Sequence, residues 1–320
     1  MTSSSGTPPV FLGTRGSPLA RAQTDLTREA IARARPDVAV EVKIVKTEGD
    51  KNRVASIAQL GTGAFTKELE EALERGDVDL AVHSLKDLPT EIRKGLVLAA
   101  TLPRADYRDV LCSRGKKKLL ELPRGARLGT SSPRRAAQVL ALRPDLKVSE
   151  IRGNVETRLK RLELPEDDPK ALDGILLARA GLDRLGKAAA VSETLERLLP
   201  APGQGAIGLE ARADDKLTLE LARAIDHDAT SRATLAERLL HRLLGGGCRA
   251  PVGALGRVVG GQLHLEAVVA SLDGNTLLRA EGDGPSPEEV ARTVFEQLEA
   301  KGAVKLLASV RGLGGAAEPP

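Results

Sequence analysis

Cys248 is one of only two cysteines in a chain of 320 residues, and it stands in "GGGCRAPVGALG" (245–256), behind three glycines and directly before Arg249. A thiolate is a strong nucleophile, and an adjacent guanidinium favours the charged form. Glycines on its N-terminal side let something bulky approach the backbone. No nearby histidine forms a nucleophile–base pair with it, so covalent attachment of a group fits better than turnover at the sulfur. Cys112, in the apolar run "RDVLCS", reads instead as a small buried hydrophobe.

Other chemistry-bearing residues gather where strands should end. "VHSLKDLPT" (82–90) places Ser84, Lys86 and Asp87 just beyond an apolar strand, and the carboxyl ends of strands are where open α/β sheets bind ligands. A solvated Lys-Asp loop would look the same. "EIRGNVETRL" (150–159) offers Arg152 beside the permissive Gly153, and Arg158 on the helix that follows; surface charge is the plainer reading. Arg184 in "GLDRLG" and Gln204 in "APGQGA" are loop polars that say little alone.

Two segments resemble each other. "GTRGSPLARAQ" (13–23) and "GTSSPRRAAQ" (129–138) share Gly-Thr, then Ser-Pro, then Gln six residues after the Ser. Each sits where a strand hands over to a helix, with Ser17 or Ser132 as N-cap and Pro18 or Pro133 at the first helical position. Free backbone N–H groups and the positive end of the helix dipole then point at one spot, a ready anion site. Arg15 accompanies the first copy, Arg134 and Arg135 the second, and two capped helices with no ligand remain the bland alternative.

Most stock classes drop out. There is no P-loop, dinucleotide fingerprint or nucleophile elbow. His83, His227, His241 and His264 have no metal-ligand spacing with either cysteine, and His83 reads as a packed residue. Aromatics at 1% and a net charge of only +4 argue against a nucleic-acid binder that stacks bases. "MTSSSGTPPV" lacks a basic n-region and an apolar h-region, and no run approaches the roughly 18 apolar residues of a membrane span. A cytoplasmic protein with no membrane contact is expected.

The elements that must position these residues follow from periodicity. "VFLGT", "VAVEVKIVKT", "VDLAVHS" and "LVLAATLP" read as strands, separated by the helices "SPLARAQTDLTREAIARARP" and "FTKELEEALERG", the latter closed by Gly76. From about residue 107 the alternation restarts with "YRDVLCS", "RLGT", the helix "SPRRAAQVLALRP", "KVSEIRG", the helix "NVETRLKRLEL" and "DGILLA" feeding "RAGLDRLG". Two α/β units with largely parallel sheets are implied. Past "LPAPGQGAIGLEAR" a helix over 228–246 precedes three short alternating runs with turns at Gly260-Gly261 and "LDGN", then an amphipathic helix, which makes a small α+β unit.

Taken in order, "GTRGSPLARAQ", "TEGDK", "FTKELE", "VHSLKDLPT", "GTSSPRRAAQ", "IRGNVETRL", "LLARAGLDRLG", "APGQGAIGLEAR" and "GGGCRAPVGALG" resemble the motifs of the porphobilinogen deaminase (hydroxymethylbilane synthase) family. The resemblance implies an enzyme of tetrapyrrole biosynthesis that joins four porphobilinogen molecules head to tail, releasing ammonia, to give linear hydroxymethylbilane. It implies a dipyrromethane cofactor held by a thioether to Cys248, and a monomer. Its fold would be two lobes like those of type II periplasmic binding proteins flanking a cleft, plus a small C-terminal α+β domain. The expected boundaries are 10–104 with 203–224, 105–202 and 225–320.

By the same resemblance Asp87 is catalytic, its carboxylate set against positive charge developing on pyrrole nitrogens. Ser84, Lys86, Thr130, Ser132, Arg134, Arg135, Arg158 and Arg184 would hold the cofactor. Arg15, Ser17, Arg152 and Gln204 would bind substrate, whose rings each carry an acetate and a propionate. Residues 48 to 64 would form a lid, in which Gly61-Thr62-Gly63 lacks a lysine that the family often has. The rival reading is a non-catalytic two-lobed binding protein for a small polycarboxylate or other anion; it leaves Cys248 and "HSLKDLP" unexplained.

Overall fold

The structure, a computed structural model, describes residues 9–46, 66–245, 247 and 250–313. The expected lid over 48–64, the anchor Cys248 with its neighbour Arg249, residues 1–8 and the tail from 314 lie outside these. The chain divides into two compact bodies, Met1–Arg104 with Ala206–Ser231, and Ala105–Gly205 with Arg232–Pro320.

The first body is built on a five-stranded sheet. Strands β1 (Val10–Thr14), β2 (Val40–Ile44), β3 (Leu80–Ser84), β4 (Leu96–Thr101) and β10 (Ile207–Arg212) lie in the order β2-β1-β3-β10-β4. β1 runs parallel to β2 and β3, while β10 is antiparallel to both neighbours. Four strands therefore run one way, and the one that returns late in the chain runs against them. Helices α1 (Pro18–Ala34) and α6 (Lys216–Ile225) cover one face, where Ile31, Leu221 and Ala222 pack on Leu12, Leu80, Val82 and Leu209. α2 (Lys67–Glu74) covers the other with Leu69 and Leu73, against Val78 and Ala81.

The second body repeats the plan. β5 (Asp109–Ser113), β6 (Arg127–Gly129), β7 (Lys147–Ser149), β8 (Gly174–Ala178) and β9 (Glu193–Thr194) form a sheet in the order β7-β6-β8-β5-β9. Again the fourth strand alone runs against the rest. Its helices are α3 (Pro133–Leu142), α4 (Val155–Leu159) and α5 (Arg179–Arg184). The expected strand over 147–153 is only three residues long, because the backbone leaves the sheet after Ser149 toward the positive φ of 98° at Gly153. A Cβ at Gly153 would lie 2.7 Å from the Thr157 side chain, so glycine is required by the tight turn into α4.

The same body carries the C-terminal unit, an antiparallel sheet of β11 (Val252–Val259), β12 (Gln262–Ala270) and β13 (Leu277–Gly284). α7 (Asp228–Leu243), α8 (Pro287–Ala300) and α9 (Ala303–Leu313) accompany it. Ala236 and Leu240 of α7, with Val290 and Val294 of α8, bury its inner face. Turn glycines stand at 260–261, as the sequence suggests. The class expected, two α/β lobes with a small α+β unit, is the class found. Not read from the sequence were β9, α6, α9 and β10, whose "IGLEAR" is nearly wholly buried.

Candidate active site

In the first body the chemistry collects at the carboxyl ends of β1 and β3. The two strands pair in parallel, Leu12 with Leu80 and Gly13 with Ala81, so the turns that follow them leave the sheet at one edge. After β1 comes Arg15, then Ser17, which caps α1 by accepting from the Ala20 N–H at 3.3 Å. After β3 comes a single 3-10 turn, Leu85–Asp87. Leu85 and Leu88 are 1% and 4% exposed and pack with Ala206. The Leu85 N–H also donates to the Ala206 carbonyl at 3.1 Å. Two buried leucines thus nail the turn down and leave Lys86 and Asp87, between them, exposed to solvent.

Ser84 is held from α1. Its hydroxyl lies 2.8 Å from Gln23 Nε2 and 3.0 Å from Gln23 Oε1. Gln23 is the residue that site reasoning passed over. Its signal was present, since the Gln recurs in the second copy as Gln138, which binds the Leu199 N–H and carbonyl at 2.9 and 3.0 Å. In both repeats a buried amide on the first turns of the helix grips another segment of its own body.

The second body places Thr130, Ser132, Arg152 and Gly153 beyond the carboxyl ends of β6 and β7, which pair in parallel. Ser132 caps α3 through the Arg135 N–H, and the Thr130 hydroxyl accepts from the Ser132 N–H at 3.1 Å. Arg152 reaches Glu150 at 3.1 Å, and Arg158 Nε donates to the Gly153 carbonyl at 2.9 Å.

Arg134 and Arg135 are 3% and 6% exposed, and their buried partner is Asp109. Arg134 Nη2 donates to Asp109 Oδ1 at 3.2 Å, Arg135 Nε to the same oxygen at 2.8 Å, and Arg134 Nη1 to Oδ2. Gln204, wholly buried, donates to Asp109 Oδ1 at 2.9 Å and to the Tyr107 carbonyl at 2.7 Å. Burial acts to raise the Asp109 pKa, but the two guanidiniums and Gln204 outweigh it and hold the carboxyl well below the usual carboxylate range. Gln204, expected from the resemblance to bind substrate, makes these contacts within its own body. Its amide braces Asp109, because the loop that carries it folds inward. Asp109, inside a strand, drew no attention in the sequence.

Asp109 is shared by two guanidiniums. Among the described residues, Arg134 keeps one N–H, at Nε, that is buried and without a partner. Arg184 is in a similar position. Its Nη2 donates to the Gly205 carbonyl at 2.7 Å, its Nε is buried with no partner among the described residues, and burial pulls the guanidinium down to about 10. Buried guanidiniums whose Nε donors are unused among the described residues suit a ligand rich in carboxylates, and dipyrromethane, with acetate and propionate arms, has that character. Cys112 is wholly buried in β5, and burial pushes its thiol up to about 11, as befits a core residue.

Comparison with known families agrees with this chemistry. Residues 10–220 match the profile described as porphobilinogen deaminase, dipyromethane cofactor binding domain, and residues 231–300 match porphobilinogen deaminase, C-terminal domain. The chain is 50% identical over 307 residues to the porphobilinogen deaminase of Desulforudis audaxviator, covering 94% of this chain and 98% of that protein. It is 46% identical to that of Carboxydothermus hydrogenoformans, with coverages of 94% and 97%. Among solved structures it is similar to a nutrient binding protein from Burkholderia cenocepacia bound to methionine, at 14% identity and a TM-score of 0.40 over 68% of this chain and 91% of that one. With two family domains matched in order and half the residues shared with a full-length relative, the chain belongs to the porphobilinogen deaminase family.

Proposed function

We propose that this chain is a hydroxymethylbilane synthase, a transferase that joins four porphobilinogen molecules head to tail with loss of ammonia. The observation that carries the reading is the match to the family's cofactor-binding domain over residues 10–220, which contain the exposed Asp87 turn and the buried guanidiniums. A plain anion-binding protein has no use for a dipyrromethane domain.

When bound through a thioether to Cys248, a dipyrromethane supplies the primer to which substrate units are joined. The chain's own residues have three tasks. Arg134 and Arg184 offer buried N–H groups unpartnered among the described residues, and with Arg135, Arg158, Lys86, Ser84, Thr130 and Ser132 they hold cofactor carboxylates and rings. Arg15, Ser17 and Arg152 orient the carboxylates of incoming porphobilinogen. Asp87, exposed on a turn fixed by Leu85 and Leu88, sets its carboxylate against positive charge that develops on a pyrrole nitrogen as ammonia departs. In the same proposal its carboxylate takes up the proton of that nitrogen.

The three sheets and their separate apolar clusters support three domains, 10–104 with 203–224, 105–202 and 225–320. A cytoplasmic monomer that binds neither membrane nor nucleic acid is part of the same proposal; no described helix is long and apolar enough to cross a membrane. The test is the intact mass of the denatured protein, followed by mapping of the peptide around Cys248. An excess of two pyrrole units on that peptide is the expected result. A bare Cys248 whose mass never rises after incubation with porphobilinogen would overturn the reading.

A further inference from the structure

Asp87 is aimed only as well as the strand end that carries it. Alternate residues of β3 face opposite sides of the sheet. Leu80 and Val82 pack under α1 and α6, and Ala81 packs under α2. Ser84 therefore lies on the α1 side, where Gln23 holds it. His83 lies on the α2 side, and there its Nε2 is 3.1 Å from Glu210 Oε2 on β10. The two side chains are 4% and 0% exposed.

Glu210 has a second feature that packing does not require. Its Oε1 is buried and, among the described residues, has no hydrogen-bond partner. Glu70 of α2 stands near enough that burial first, and the Glu210 charge next, raise its carboxyl above the ordinary range. A buried carboxylate with one oxygen unpaired is costly, and an apolar pair of similar volume would fill the same space without that cost. In the paired register Gly208 stands opposite His83, and a Cβ there would meet Leu85 Cδ1 at 2.9 Å, so the strand end and the catalytic turn are closely packed against β10.

We infer that His83 and Glu210 are positioning residues for Asp87, pinning the end of β3 to β10 on the face opposite the Gln23–Ser84 bond. Held from both faces, the strand can neither twist nor slide, and the Lys86–Asp87 turn keeps one direction. The inference rests on the catalytic reading of Asp87 given above.

The test uses the cofactor-loaded enzyme, with kcat, KM for porphobilinogen, intact mass and urea midpoint measured for each variant. His83→Phe leaves Glu210 unpaired and lowers both midpoint and kcat. His83→Phe/Glu210→Leu restores the midpoint, since nothing polar is left buried, but kcat stays down by about ten-fold or more, the scale of a small misplacement of a reacting group. KM and cofactor mass are unchanged. His83→Gln, whose amide reaches Glu210, returns most of kcat. A double variant with the parental midpoint and parental kcat overturns the inference, because the pair would then serve stability alone.

If the double variant does not fold, Glu210→Met decides. A neutral imidazole tolerates burial, so parental kcat in that protein overturns the inference and a loss in kcat at constant KM supports it. Asp87→Asn separates the two claims. If it keeps its rate, the reading of Asp87 fails; if it is inactive while the double variant is active, only the positioning claim fails.

Discussion

Asp109→Asn is the substitution whose effect the structure specifies best. The carboxylate is 0% exposed and accepts from both Arg134 and Arg135 and from Gln204. Asparagine keeps the volume and one acceptor, but it turns an N–H₂ group toward a guanidinium N–H, donor against donor. It also removes the negative charge that offsets two buried cations. Deleting one partner of a buried ion pair costs about 3–5 kcal/mol, a large share of the roughly 5–15 kcal/mol that holds a domain folded. Urea unfolding near neutral pH, followed by circular dichroism, should show the midpoint falling with the slope unchanged. The folded-state pKa of Asp109 is depressed, so its contribution is fully present above the ordinary carboxylate range and is lost only as pH falls through the lower folded value. The deficit of the variant should accordingly be constant from neutral pH down to about pH 5, and should close only in stronger acid. A loss below about 1 kcal/mol at neutral pH, the range of an exposed pair, would refute the reasoning, since the guanidiniums would then be satisfied without Asp109.

Three further outcomes follow from single sites. Arg184→Met removes a guanidinium whose Nε has no partner among the described residues; the unloaded chain should be no less stable in urea, while the fraction carrying cofactor by intact mass falls. Cys112, with its thiol pushed up to about 11 by burial, should stay unmodified when the native protein is treated with iodoacetamide near about pH 8, and should react once urea unfolds it. Gly205→Ala puts a Cβ 2.7 Å from the Ala105 carbonyl oxygen at a φ of 90°, and should lower the unfolding free energy by about 1–3 kcal/mol.

Much of the site was legible because it obeys local rules. Ser17-Pro18 and Ser132-Pro133 start helices by their own chemistry, whatever surrounds them, and both do so here. The Asp87 turn could be placed from "VHSLKDLP", since an apolar strand followed by polar residues and Pro must leave a sheet. β10 was missed because a strand buried on both faces loses the alternation that marks a strand, and it joins a sheet whose other members lie more than a hundred residues earlier.

The partners of the charged residues were not legible at all. By itself the sequence determined where the two Ser-Pro helices begin and, through nine motifs in order, the family. Only the tertiary structure decided that Arg134 and Arg135 share Asp109, that Gln204 turns inward to brace it, and that His83 meets Glu210, 127 residues away. The physical reason is range. Caps, turns and periodicity depend on neighbours along the chain, whereas the burial of a charge depends on what the fold brings against it.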